Sequence, residues 1–124
     1  MQWLVLKSWF LIAYLDCVMH FDNFKRLHHM VRTQEMNART SSEDGVHRVC
    51  RAVDLACALY FKRVLCLQRS AATTIMLRRN GAKAELVIGA QLIPFRSHAW
   101  VEIDGQVVND KPYLSQIFQL LDRL

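Results

Sequence analysis

The apolar positions Trp3, Leu6, Phe10, Tyr14, Val18, Phe21 and Phe24 recur at helical spacing, with Lys7, Asp16, Asp22, Lys25 and Arg26 largely off that stripe. The pattern predicts one or two amphipathic helices between Trp3 and about Arg32. From Thr33 to Gly45 the chain is polar, with Asn37, Thr40, Ser41, Ser42, Asp44 and Gly45, and reads as a connecting loop. Helical periodicity returns from Val46 to about Val64 through Val46, Val49, Val53, Ala56, Ala58, Leu59 and Tyr60. A further helix is predicted over Cys66–Arg79, with Arg78 and Arg79 at the negative end of its dipole and Gly81 as a stop signal.

After Gly81 the period changes from helical to alternating. Ala84 to Ala90 predicts a strand; a loop follows, then a hairpin in which His98 to Ile103 turns at Asp104-Gly105 and returns through Gln106 to Asp110. Pro112 interrupts the pairing, and Leu114, Ile117, Phe118, Leu120 and Leu121 predict a short C-terminal helix. The fold class is therefore α+β, with helices first and a small antiparallel sheet after. The natural division is a helical segment with its linker over residues 1–45 and a core over 46–124.

Composition narrows the picture without choosing a function. At 124 residues and 52% hydrophobic content the chain can bury one sizeable core. Its net charge of +5 suits an acidic partner, but Arg48, Arg51, Lys62, Arg63, Arg69, Arg78, Arg79, Lys83 and Arg96 are spread out. That is a solvated basic surface, and no nucleic-acid partner is expected. The four cysteines, Cys17, Cys50, Cys57 and Cys66, show no CxxC spacing, which fits a reducing cytoplasmic setting. The apolar start from Trp3 to Leu15 contains Lys7 and falls short of the ~18 residues of a membrane span. Neither a signal peptide nor membrane contact is expected.

The chemistry concentrates in three residues. A helix N-terminus supplies a partial positive field and free backbone N–H groups, which activate a thiol and hold an oxyanion, and Cys66 has that address. Amide attack also needs a base that works near neutral pH; His98, at the start of a strand, is the candidate. Asp104 and Asp110 compete to orient its ring. A three-residue hairpin loop pairs Glu102 with Gln106 and sets His98 opposite Asp110, whereas a two-residue loop sets His98 opposite Lys111. In either register Asp110 returns to the His98 end and Asp104 stays at the turn, so Asp110 is favoured. Cys17 with His20, and the adjacent His28 and His29, lack zinc-ligand spacing, so no metal or other cofactor is expected. The aromatic stripe of Trp3, Trp9, Phe10, Tyr14 and Phe24 reads as core or as a docking face.

Taken together, Cys66-Leu67-Gln68-Arg69, Leu86-Val87-Ile88-Gly89, Pro94-Phe95-Arg96, His98-Ala99-Trp100-Val101-Glu102 and Asn109-Asp110 resemble the lasso-peptide biosynthesis B proteins. Those are leader peptidases with a transglutaminase-like (papain-like) cysteine peptidase core. The resemblance implies Cys66, His98 and Asp110 as a catalytic triad and a precursor peptide as substrate. It further implies a separate PqqD-like leader-recognition protein and an ATP-dependent lasso cyclase as partners. Arg69, one turn after Cys66, would either meet an acidic group or hold the helix in place. A transglutaminase-like acyl transferase and a non-catalytic peptide-binding scaffold are the alternatives.

Overall fold

The computed structural model describes residues 2–37, 42–92 and 94–124. Four helices come first: α1 (Gln2–Phe21), α2 (Phe24–Thr33), α3 (Glu43–Leu59) and α4 (Cys66–Arg79). They are followed by β1 (Ala84–Leu92), β2 (Phe95–Ile103), β3 (Gln106–Val107), the one-turn α5 (Leu114–Ile117) and β4 (Gln119–Arg123), in an antiparallel sheet ordered β3-β2-β1-β4. The expected α+β order holds.

The helix boundaries follow local chemistry. Asn23 caps α2 by accepting from the Arg26 N–H, and Ser42 caps α3 by accepting from Gly45, with Glu43 and Asp44 in the first turn against the dipole. At the end of α4, Gly81 takes a left-handed φ of 85°, which lets the Ala82 N–H bond the Leu77 carbonyl at 2.9 Å.

Of the expected stripe within helix α1 only Val18 is buried, and the inward face is rotated away from the rest. Its buried residues are Ser8, Leu11, Ile12, Leu15 and Val18, while Trp3 (67%) and Phe10 (61%) are among the aromatics left exposed. Both faces carry apolar residues at helical spacing, so periodicity alone could not choose between them. The aliphatic face goes inward and the aromatic face outward; Ser8 satisfies its buried hydroxyl on the Leu4 carbonyl at 2.7 Å. At 20 residues α1 is also longer than the run from Trp3 to Leu15, and by length and composition it is apolar enough to cross a membrane. In this fold its aliphatic face packs into the core.

That core is shared by both ends of the chain. Leu11, Leu15, Leu27 and Val31 join Val49, Val53, Ile75, Leu77, Leu86 and Val101 in one cluster, with α4 between the other helices and the sheet. The opposite face of the sheet holds a smaller cluster of Val87, Trp100 and Leu114, with Val107 and Phe118 packed on it.

The sheet departs from expectation in three places. The loop expected before His98 is taken up by strand, since β1 and β2 stay in register from Ala84↔Ile103 to Leu92↔Phe95. The β2–β3 turn has two residues, Asp104 (φ 52°) and Gly105 (φ 78°), so Ile103 pairs with Gln106 and the three-residue alternative is not used. The expected C-terminal helix stops after one turn, and Gln119–Arg123 instead pairs with the outer edge of β1. Pairing that edge satisfies backbone groups that a surface helix would have left open.

Gly89 makes the last arrangement feasible. A Cβ there would lie 2.7 Å from the Trp100 ring and 2.8 Å from the Phe118 Cβ, so glycine lets β4 and Phe118 close over Trp100. Gly89→Ala is expected to destabilise the fold by about 1–3 kcal/mol through overpacking, read as a lower urea midpoint at unchanged m. A variant as stable as the parent would mean that Phe118 does not close over this site.

Candidate active site

Cys66 is the first residue of α4 and is partly buried. The residue before it, Leu65, has no side-chain acceptor; its own N–H is taken by Gln68 Oε1 at 3.2 Å. The first turn of α4 therefore keeps backbone N–H groups that no capping side chain occupies. This departs from the usual Ser, Thr, Asp or Asn cap, and it leaves donors beside the thiol.

His98 lies in β2, with its ring stacked at 6.2 Å from Trp100 and 5.6 Å from Phe118, centroid to centroid. Its Nε2 meets Asp110 Oδ2 at 2.8 Å. The pairing does not come from the strand ladder, because β3 ends at Val107. The Val108 N–H still bonds the Val101 carbonyl, and then the Asn109 side chain takes over, its Oδ1 accepting from the Val101 N–H at 2.8 Å. Asn109 Nδ2 donates to Ser70 Oγ at 3.1 Å, and Ser70 donates to the Ala99 carbonyl at 3.0 Å. This circuit pins α4 to β2 beside His98 and turns the chain so that Asp110 reaches the ring. Asp104 stays at the far turn.

Asp110 has two further partners. Its Oδ1 accepts from the Lys111 N–H at 2.8 Å, and its Oδ2 lies 3.4 Å from Arg69 Nη2. Burial, the largest single influence, pushes the Asp110 carboxyl up. The His98 hydrogen bond, the Lys111 N–H and the charges of His98 and Arg69 together outweigh it and hold the carboxyl below its usual range. An ionised Asp110 accepts only, so a neutral His98 carries its proton on Nε2 and presents Nδ1 as the basic nitrogen.

Two of the three expected residues are thus in direct contact. Cys66 makes no hydrogen bond to His98 among the described residues. It is tied to the pair through its own helix, since Arg69, three residues on, reaches Asp110, and Ser70, four residues on, holds the carbonyl next to His98. Catalytic hydrogen bonds in unliganded enzymes are commonly long and tighten with substrate.

The other chemistry-bearing residues have structural work. Burial pushes the Cys50 and Cys57 thiols up to about 11, so both are un-ionised at neutral pH. His28 Nε2 bonds Asp122 Oδ2 at 2.9 Å and links α2 to β4. Glu102, 2% exposed, accepts from the Trp100 indole at 2.8 Å and from Arg123 at 2.9 Å. The Trp and Glu that follow His98 therefore lock β2 to β4. Sequence reasoning missed Ser70, which carries no signal until the helix and strand are brought together, and it singled out Asn109 only as part of the Asn109-Asp110 block, without the bridging role seen here.

A cleft of about 420 Å³ opens beside His98 and Asp110, lined also by Arg96, Lys111, Tyr113 and Phe118. A larger groove of about 780 Å³ runs along α1 past Trp3, Leu6, Phe10 and Arg79 and contains none of the three expected residues. Of the two, the smaller cleft holds the His98–Asp110 pair.

The profile of the transglutaminase-like superfamily matches residues 11–122, nearly the whole chain. The chain belongs to the transglutaminase-like superfamily. It is also 49% identical over 47 residues to the microcin J25-processing protein McjB of Escherichia coli, a stretch covering 38% of this chain and 23% of that protein. The resemblance to the lasso-peptide B proteins is borne out over that stretch. No solved structure matches. As a superfamily member the chain has the α+β architecture expected from its sequence.

Because Asp110 is held below the usual carboxylate range, the stability it contributes is complete above that range and drains away as pH falls through its lowered value. The stability difference between the parent and Asp110→Asn should therefore shrink as pH falls below about 4; a difference that stays constant on acidification contradicts the assignment. For the thiols, iodoacetamide at pH 7.5 should leave Cys50 and Cys57 unmodified in peptide mass maps, with alkylation rising only towards pH 11. Rapid labelling of either at pH 7.5 would contradict the raised thiols.

Proposed function

We propose that this chain is a cysteine peptidase that removes the leader from a ribosomally made lasso-peptide precursor. The observation that carries the proposal is the 2.8 Å His98–Asp110 pair, held beside the helix that begins at Cys66. In this reading His98 Nδ1 takes the thiol proton as Cys66 Sγ attacks the carbonyl of the last leader residue. The oxyanion is stabilised by the uncapped N–H groups of the α4 first turn. Collapse of the intermediate breaks the C–N bond, and His98 returns the proton to the departing core amine. Water, deprotonated by the same nitrogen, then hydrolyses the thioester and regenerates the thiol. Asp110 holds the ring and offsets the charge of the imidazolium; it does not exchange the proton.

Within this reading, residues 46–124 carry the catalytic elements and residues 1–45 buttress them through the shared core. The similarity to the microcin J25-processing protein McjB supports a precursor-peptide substrate; in this reading a separate leader-recognition protein delivers the precursor and an ATP-dependent cyclase acts next. The four free cysteines favour the cytoplasm.

The test is mass spectrometry of a synthetic lasso precursor, spanning leader and core, incubated with the chain and a leader-recognition protein. Two fragments that sum to the precursor plus one water are expected, with the rate down roughly a thousandfold or more in Cys66→Ala. An adduct of the leader with an added amine would establish acyl transfer instead, and an intact precursor in every tube would leave a binding role.

A further inference from the structure

The cleft beside His98 has an electrostatic character that the proposed reaction does not use. Arg96 and Lys111 line it, and neither forms an ion pair among the described residues. Its one acidic lining residue, Asp110, is already engaged by His98, Arg69 and the Lys111 N–H. The charge offered to an occupant is therefore positive. The remaining wall is aromatic and aliphatic, with Tyr113, Ile117 and Phe118 facing the same space. Its volume of about 420 Å³ lies within the ~300–1,000 Å³ of ordinary ligand clefts.

Position matters as much as charge. The cleft is bounded by the proposed base, and Cys66 is not among its lining residues, so a side chain seated there meets the site from the His98–Asp110 side. Arg96 sits two residues before His98 on β2, and Lys111 follows Asp110, so both cations are fixed to the segments that carry the pair.

Resting on the peptidase reading above, we propose that this cleft is a substrate subsite for an acidic side chain flanked by apolar residues, with Arg96 and Lys111 as its specificity determinants. It gives the chain's positive balance a local use. Two cations at an open rim provide modest discrimination, about fivefold between an acidic and a neutral side chain, and the preference weakens with salt.

Binding tests this without turnover. Three fluorescein-labelled, C-terminally amidated hexapeptides of Leu and Gly, identical except for Glu, Gln or Lys at the third position, are titrated into the Cys66→Ala chain by anisotropy. The expected order of affinity is Glu, then Gln, then Lys, with about fivefold between the first two. Adding Arg96→Glu and Lys111→Glu together should invert the order, and Arg96→Gln with Lys111→Gln should flatten it; a circular-dichroism melt checks that each variant is folded. No measurable binding, no dependence on charge, or an order unmoved by both double substitutions in folded protein would overturn the subsite. Charge-ordered binding alongside an uncut precursor would instead overturn only the peptidase reading.

Discussion

One hydrogen-bonded circuit holds the candidate site together. Asn109 spans the gap between the Val101 N–H and the Ser70 hydroxyl, and Ser70 passes the connection to the Ala99 carbonyl. Its members are buried or partly buried, so each unmade bond would strand a polar group away from water. The geometry fixes two relationships at once. Helix α4 cannot slide along β2 without breaking the Ser70 bond, and the chain after β3 cannot continue the ladder without losing the Asn109 side chain. Cys66, one turn before Ser70, and Asp110, one residue after Asn109, are located by the same few atoms.

A second cation does similar work at the other end of α4. Arg78 donates to carbonyls of Val31, Gln34, Ala84 and Leu124, which lie in or beside α2, β1 and the end of β4. The helix that begins with the proposed nucleophile is thus anchored at its end to both early and late parts of the chain. Together with the shared cluster of Leu15, Leu27, Val53, Ile75 and Leu86, this makes the N-terminal helices part of what holds the site rigid.

Much of this was legible in the residues, and the failures have physical causes. The start of α4 at Cys66 and its end just before Gly81 followed from dipole and turn chemistry that acts locally, and the hairpin turn brought Asp110 back to the His98 end, where the Asn109 circuit completes the approach. The aromatic stripe of α1 read as core or as a docking face because two apolar stripes share the helix, and only the packing partner decides which is buried. The C-terminal strand was hidden because Leu120 and Leu121 satisfy a helical pattern until the open edge of β1 competes for their backbone. The hairpin register depended on Asp104 accepting a left-handed conformation before Gly105, a choice the spacing left open. Ser70 looks like an ordinary polar residue until the two elements meet.

In the proposed peptidase an uncapped helix start, an imidazole and an ionised carboxylate act as one device, with Arg69 bracing Asp110 between the helix and the strand. Groups that act as a unit lose their effect together. The most direct measurement is therefore the cleavage rate of a lasso precursor by His98→Ala, by Asp110→Asn and by the two combined. The account predicts that the double variant is no slower than His98→Ala alone. Losses that multiply would show that His98 and Asp110 act independently, and would contradict it.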